Sequence, residues 1–531
     1  MTIETNDLIQ PPEDHEFSKE EHRRILVILF ALMLGMFLAA LDQSIVSTAL
    51  PTIAGDLHNL NELSWVVTSY LITSTISLPL WGKLGDLFGR KRFFQLAILV
   101  FLAGSILSGI SHSMVQLIGF RAIQGVGAGG LMVGSQAIIG DVIPPRQRGR
   151  YMGYFGIVFG LSSVLGPLAG GWFTQHVSWR WIFYINVPIG LCALVVVAIV
   201  LQVPAKRVAH KVDWWGMSLL SSGVVCLILL LTWGGTEYAW ASSTILGLGL
   251  ASVILIAVFC FVELKVSEPV ISLELFKNRT FSAASAVGFM IGFTMFGSIV
   301  YLPLYLQVVH GASPTKSGLE LLPMVGGMLI TFVMSGRLVS RTGRYKIFPI
   351  LGSAVVGLGL AALSRLDPHS TFAFAAIGMF IVGLGLGLVM QILVVAVQNA
   401  VPHSQLGTAT ATATFFRSIG GAFGVAVLGD VFNNRLLHEL RANLTSAQLG
   451  HFVQGGSVAI NPAQINQLPI AQRTLVIDAF SHTLQTVFFF AIPFAVLAFA
   501  LSWIMKEIPL RTQAHVSTET VLDAPGEFSS L

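Results

Sequence analysis

Gly82–Arg92 reads GKLGDLFGRKR and sits between two long apolar runs, roughly 62–81 and 93–111. Lys83, Asp86, Arg90, Lys91 and Arg92 put five charges into eleven residues. Charge that dense does not stay in hydrocarbon, so the stretch belongs in water at a membrane surface. Lys and Arg gather on the cytoplasmic side of membrane proteins, so the Arg90-Lys91-Arg92 ending marks that surface as the inner one. Gly82, Gly85 and Gly89 predict a tight turn whose backbone lies close to its neighbours. A weaker copy, GRLVSRTGRYK, runs from Gly336 to Lys346. Both copies open on glycine, a basic residue and leucine, and Gly-Arg returns seven residues on. A stray basic turn explains one such loop. The pair implies two copies of one helical unit.

Composition agrees. Apolar residues make up 54% of the chain and charged residues 11%, against about a quarter charged in a soluble protein. A formal charge of +4 gives no reason to expect nucleic acid as a partner. Cys192, Cys226 and Cys260 all lie in apolar runs, which predicts buried thiols, no disulfide framework and no metal site. The acidic, polar residues 1–18 do not resemble a cleaved signal, so the first apolar run is expected to be an uncleaved span.

A span needs about 20 apolar residues. By that rule the chain holds fourteen, at roughly 25–48, 62–81, 93–111, 116–138, 151–173, 181–201, 214–233, 243–262, 280–302, 317–336, 347–364, 372–396, 409–428 and 480–504. Lys and Arg then fall roughly 22 to 6 in favour of the loops on the side of both termini. That predicts a multi-pass protein of the inner (cytoplasmic) membrane with both termini cytoplasmic. The two loop copies follow spans two and ten, whereas a plain six-plus-six duplication puts them after spans two and eight. Two helices are therefore inserted between the halves. The expected fold is all-α and polytopic: a cytoplasmic tail over 1–24, a six-helix bundle over 25–201, and a linker with two extra transmembrane helices over 202–279. A second six-helix bundle covers 280–505 with a polar outer loop at 430–478, long enough to hold a small hairpin or helix over the outer face, and a cytoplasmic tail covers 506–531.

Three further stretches carry chemistry. Asp42, in LDQSIVSTALP (Leu41–Pro51), is an acid inside an otherwise apolar helix; such residues face a cavity or a partner. Counted from Pro51, Asp42 lies about 9 residues, or roughly 13 Å, below the outer surface. Arg121 enters span four from the same side and lies about 5 residues, roughly 8 Å, deep. The two can form a structural ion pair or a titrating proton site. Span five holds Gly160, Gly166, Pro167, Gly170 and Gly171; proline bends a helix and glycines let another pack against the bend, whether as a plain packing helix or a functional one. Arg417 lies well inside span thirteen and can balance a buried carboxylate or hold a helix interface. Glu320, near the outer end of span ten, is a reserve candidate for a proton site. GVGAGG at Gly125–Gly130 spells a dinucleotide fingerprint but lies within an apolar helix with no strand before it, so close helix packing explains it better. No GxxxxGK[ST] loop is present, which leaves an ATP-driven pump in need of another subunit. Trp179 and Trp181 are placed as interfacial anchors at the outer end of span six.

In this order and spacing these motifs resemble the major facilitator superfamily, and within it the 14-span drug:proton antiporters of the EmrB/QacA type. The likeness runs from about 25 to 505. Gly82–Arg92 matches the family's loop motif, including Gly82, Gly85, Asp86, Gly89, Arg90 and Arg92. Arg121–Gly127, RAIQGVG, is similar to the span-four motif whose arginine is associated with proton coupling. Gly160–Gly171 resembles the span-five motif of antiporters, and Leu41–Pro51 places Asp42 on the acid of the span-one motif. WRWIFYINVPIG, Trp179–Gly190, also resembles the family. The second loop departs from the pattern, since Ser340 stands where the acid is expected, and the N-terminal loop is therefore expected to dominate gating.

The resemblance implies a secondary transporter, not an enzyme, with no cofactor beyond the proton gradient. It would be an antiporter exporting amphipathic, often cationic, drugs or toxic compounds, with multidrug efflux and antibiotic resistance as its phenotype. Its partners would be that substrate, protons and the lipid bilayer; a periplasmic adaptor stays open. Rival readings are an exporter dedicated to one metabolite, lipid or siderophore, a proton-coupled importer, and a membrane receptor or scaffold. A receptor is disfavoured because the chain carries no added signalling domain.

Overall fold

The computed structural model describes residues 19–57, 62–201, 212–235, 237–444, 453–454, 457–458, 465 and 468–510. The described chain is helical almost throughout. The first half runs α1 (Lys19–Asp56), α2 (Leu63–Phe88), α3 (Arg90–Gly109), α4 (Met114–Val142), α5 (Pro145–His176), the one-turn α6 (Trp181–Tyr184) and α7 (Asn186–Val200). Next come α8 (Trp214–Trp233) and α9 (Ser243–Glu263). The second half runs α10 (Arg279–Val308), α11 (Pro314–Glu320), α12 (Leu322–Thr342), α13 (Ile347–Leu363), α14 (Phe372–Ala400), α15 (Leu406–Asn443) and α16 (Ile470–Ile504). A small hairpin pairs β1 (Val453–Gln454) with β2 (Ser457–Val458). Several starts are capped by side chains that accept an orphan N–H: Ser113 from Gln116, Asp213 from Gly216, Ser242 from Ile245 and Asn278 from Thr280.

Among the described residues, twelve helical segments are long and apolar enough to cross a membrane, with α6–α7 and α11–α12 each taken as one segment. The remaining two of the fourteen expected positions also hold helices, α2 and α13, which that criterion does not include. The α13 helix has 17 residues, and α2 carries Ser64, Thr68, Ser69, Thr73, Ser74, Thr75 and Ser77.

The two halves repeat one packing scheme. In the first, α1 packs on α5, α4 on α2 and α3, and α7 on α1 and α3; in the second, α10 packs on α15, α14 on α12 and α13, and α16 on α10 and α13. The halves meet along two seams, α5 against α12 and α2 against α15. Glycine makes the first seam close: a Cβ at Gly149 would meet Gly336, and one at Gly153 or Gly156 would meet Phe332. The inserted pair packs on itself, with α8 also touching α2 and α15. Leu246, Leu250, Val253 and Phe261 of α9 stay exposed, which puts α9 on the outside of the bundle.

Both loop copies turn on a glycine with positive φ. Gly89 ends α2 at φ 100° and Gly343 ends α12 at φ 70°, a left-handed region that disfavours any residue with a Cβ. Tyr345, next in the second copy, is fully buried; its hydroxyl donates to Lys506 O at 2.9 Å and accepts from Ile508 N at 3.0 Å. Burial pushes the Tyr345 phenol up, so it remains a hydroxyl. Lys506–Leu510, expected to be plain tail, is thereby fastened to the fold.

Four expectations need correcting. Cys192, expected to be a buried thiol, is exposed, and Gly82 and Gly85, expected in the tight turn with Gly89, lie inside α2. Residues 430–443 and 470–478 are not loop: α15 runs unbroken to Asn443 and α16 starts at Ile470. Their polar residues are the outer face of amphipathic turns, whose Leu436, Leu440, Val476 and Phe480 are buried against one another, while Arg435 pairs with Glu439 one turn on, at 2.7 Å. Trp179 is no interfacial anchor either. It is 1% exposed and donates from Nε1 to Asp56 at 2.8 Å, while Trp181 is exposed as expected.

Candidate functional site

Asp42 lies on α1 with no exposed surface. Arg121 of α4 reaches it, Nη1 standing 2.5 Å from Oδ2. Gln124 is three residues after Arg121, hence on the same helix face. Its Nε2 donates to Asp42 Oδ1 at 2.8 Å while its Oε1 accepts from Arg121 at 2.8 Å. Asn186, the first residue of α7, donates from Nδ2 to Asp42 Oδ1 at 3.3 Å and to Ser105 Oγ at 3.0 Å. The Tyr70 ring lies 4.2 Å from the Arg121 guanidinium, an attractive cation–π placement. A buried carboxylate is costly unless paired and hydrogen-bonded; here one charge and two neutral donors meet that need. The arrangement can hold a negative charge among side chains of five helices, α1, α2, α3, α4 and α7, and can change when that charge is neutralised.

The pair was legible from depth alone. Gln124 and Asn186 were missed as site residues because a neutral amide in an apolar run looks like an ordinary helix residue. Their signals were the i+3 spacing from Arg121 and the one polar amide in Trp181–Gly190. The α5 motif bears on this cluster from behind. A Cβ at Gly166 would strike Ser44 and one at Gly170 would strike Thr48 and Ile45 of α1, and Ser44 Oγ donates to Ser162 O at 2.9 Å. Gly160 faces Val325 and Leu329 of α12, Pro167 lies beside Gly318, and Gly171 faces open space. Glu320 does not join Asp42. It pairs with Lys316 at 3.6 Å on α11. Arg417 does not join Asp42 either, and no described residue pairs with it.

A second cluster lies at the loop Gly82–Arg92. Asp86 accepts from Arg90 Nη2 at 2.7 Å, and across the seam from Gly407 N at 2.9 Å, Thr408 N at 2.7 Å and Thr408 Oγ1 at 3.0 Å. Gly407 and Thr408 begin α15, so Asp86 of one half caps a helix of the other, where the helix dipole favours negative charge. Arg90 continues the chain to Asp141 and to Ala137 O on α4, and His403 Nε2 lies 2.8 Å from Asp141. Gly82 permits the approach, since a Cβ there would meet Ala411 and the Gly407 carbonyl. Lys83 turns outward to Glu268 at 2.6 Å, tying the loop to the segment after α9. Gly85 faces the Arg90 stem, and Arg92 is exposed outside the network. The basic residues Arg146 and Arg148 bind elsewhere as well: Arg146 Nε to Ser340 O at 3.4 Å and Arg148 Nε to Ile143 O at 2.7 Å. Ser340, the counterpart of Asp86, bonds its own helix at Gly336 O, 2.9 Å away. With both seams closed here, the chain is shut on the face that carries the basic loops.

A family model described as Major Facilitator Superfamily matches residues 32–425. An uncharacterized MFS-type transporter of Mycobacterium tuberculosis (strain ATCC 25618 / H37Rv) is 39% identical over 94% of this chain and 72% of its own length. Multidrug transporter protein MdtP of Bacillus subtilis (strain 168) is 37% identical over 93% of this chain and 96% of its own. The solved structure of the human organic anion transporter MFSD10 matches with TM-score 0.62 at 14% identity, covering 93% of this chain and 100% of that one; this likeness shows the fold alone.

Proposed function

The chain belongs to the major facilitator superfamily, and from that premise we propose that it is a proton-driven antiporter exporting amphipathic compounds across the inner membrane. It is a secondary transporter and not an enzyme, with relatives named as multidrug transporters and efflux pumps. In our reading all fourteen helical positions cross the membrane, as in the EmrB/QacA type, with both termini cytoplasmic and the basic loops inside. The observation that carries the proton coupling is the sealed Asp42 site, with Arg121, Gln124 and Asn186 as its donors.

The mechanism follows from that geometry. With the inner face shut by Asp86 on α15, the route by which a proton reaches the buried Asp42 opens, in our reading, from the outer side. A proton arriving at Asp42 removes the charge that holds Arg121, and α4 is then free to shift against α1 and α7. Loss of that hold is transmitted to the inner seam through α4, whose far end carries Asp141, the partner of Arg90 and His403. The inner face opens, the proton leaves to the cytoplasm and substrate enters. A cationic substrate, the class expected from the sequence, would have to displace Arg121 to reach Asp42. Everted vesicles test the reading: energised vesicles accumulate an amphipathic dye, and an uncoupler abolishes the accumulation. Accumulation unaffected by the uncoupler rejects proton drive.

A further inference from the structure

The chain has 30 Lys and Arg residues, and in the span assignment Arg121 and Arg417 are the two that fall inside the membrane. Arg121 is spent on Asp42. Arg417 is not: among the described residues it has no hydrogen bond, ion pair or ring partner. It stands ten residues, roughly 15 Å, above Gly407 on α15, about halfway across. Its direction is set by its neighbours. Thr410 and Thr414 precede it by seven and three residues, hence on the same face. Thr410 Oγ1 accepts at 3.1 Å from Gln398 Nε2 of α14, which also donates at 3.0 Å to Gln136 O of α4 in the other half. The Arg417 stem meets Gly288 of α10 beside Leu393 of α14. Arg417 therefore points between the halves and not into lipid.

A guanidinium at that depth without a counter-charge is costly, and Asp42 cannot supply one, since it is fully buried and holds three donors. Guanidinium matches planar oxyanions with two parallel hydrogen bonds. We propose that Arg417 is a substrate-binding residue that takes the anionic group, a carboxylate or sulfonate, of an amphipathic ligand held between the halves. This replaces the cationic preference expected from the sequence and rests on the exporter reading only in calling the ligand a transport substrate. Asp42 then answers to protons alone, and Arg417 to the substrate.

Three probes with one apolar body test it: dansylglycine (carboxylate), dansylglycinamide (neutral) and dansylcadaverine (cationic). They are titrated by fluorescence against the full chain in nanodiscs, with no gradient. Dansylglycine is expected to bind about tenfold tighter than the amide. Arg417→Gln is expected to erase that preference and leave amide binding unchanged, and Arg417→Lys to fall between. Equal binding of dansylglycine and its amide by the unaltered chain overturns the proposal whatever the variants do. So does dansylglycine binding indifferent to Arg417→Gln, or an equal loss for all three probes in that variant, which is the mark of a structural arginine. Tight, Arg417-dependent dansylglycine binding without export in vesicles would keep the site and reject the export reading.

Discussion

Asp86 and Thr408 are more than 300 residues apart in the chain, yet the Thr408 amide and hydroxyl both donate to Asp86 Oδ2, at 2.7 and 3.0 Å. One half of the molecule thus caps a helix of the other, and in the proposed reading that carboxylate holds the inner face closed. Asp86→Asn keeps one acceptor oxygen but loses the charge that suits a helix start and Arg90. Loss of a capping charge is worth about 0.5–2 kcal/mol, enough to shift an open–closed equilibrium several-fold. Spin-label distances between the start of α5 and the end of α12 should broaden toward open, with lower transport and unchanged expression. An unchanged distance distribution and normal turnover would remove the gating role.

Ser340 is the control for that result. Its hydroxyl bonds only its own helix, so Ser340→Ala should change transport and thermal stability little, within about 0.5 kcal/mol. A loss as large as that of Asp86→Asn would mean that the two loops gate alike.

Gly82 lies where a Cβ meets Ala411 and the Gly407 carbonyl. Gly82→Leu should therefore hold the α2–α15 seam apart while leaving each half folded. Cysteines introduced near Gly407 should become reactive to a membrane-impermeant maleimide from the inner side, and transport should fall severely. Persistent protection of those cysteines would place closure elsewhere.

Tyr345 holds Lys506 and Ile508 with one hydroxyl. Tyr345→Phe removes both of these part-buried hydrogen bonds, a loss of about 0.5–1.5 kcal/mol each. The variant should melt earlier and lose its C-terminal residues faster to protease. Unchanged protease resistance would show that the tail is held by other contacts.

How much of this was legible in the sequence depends on the range of the interaction. Of the three glycines read as one tight turn only Gly89 makes it, where glycine alone takes the backbone at no cost; Gly82 and Gly85 lie inside α2, because the helix continues through the charged run to Phe88. Asp42 and Arg121 were readable because charge inside an apolar run is rare and depth can be counted. The α2 and α13 positions were found, although serines, threonines and short length weaken their apolar signal. The ends of α15 and α16 were misread because amphipathic turns beyond the bilayer carry the polar residues of a loop. Thr408 as the partner of Asp86 was beyond reach: nothing local marks a helix start as the seat of a distant acid. Asn186 was hidden for a related reason, since an uncharged amide shows its role only once Ser105 and Asp42 are brought to it.

The central claim is that Asp42 carries the transported proton. The direct measurement is uphill dye accumulation by energised everted vesicles carrying Asp42→Asn, beside downhill counterflow in the same vesicles. The variant keeps the shape of the side chain and its bonds to neutral donors but cannot exchange a proton. The account predicts that uphill accumulation is abolished while counterflow persists. Accumulation at the unaltered rate in Asp42→Asn would contradict it and reduce the Asp42–Arg121 pair to a structural ion pair.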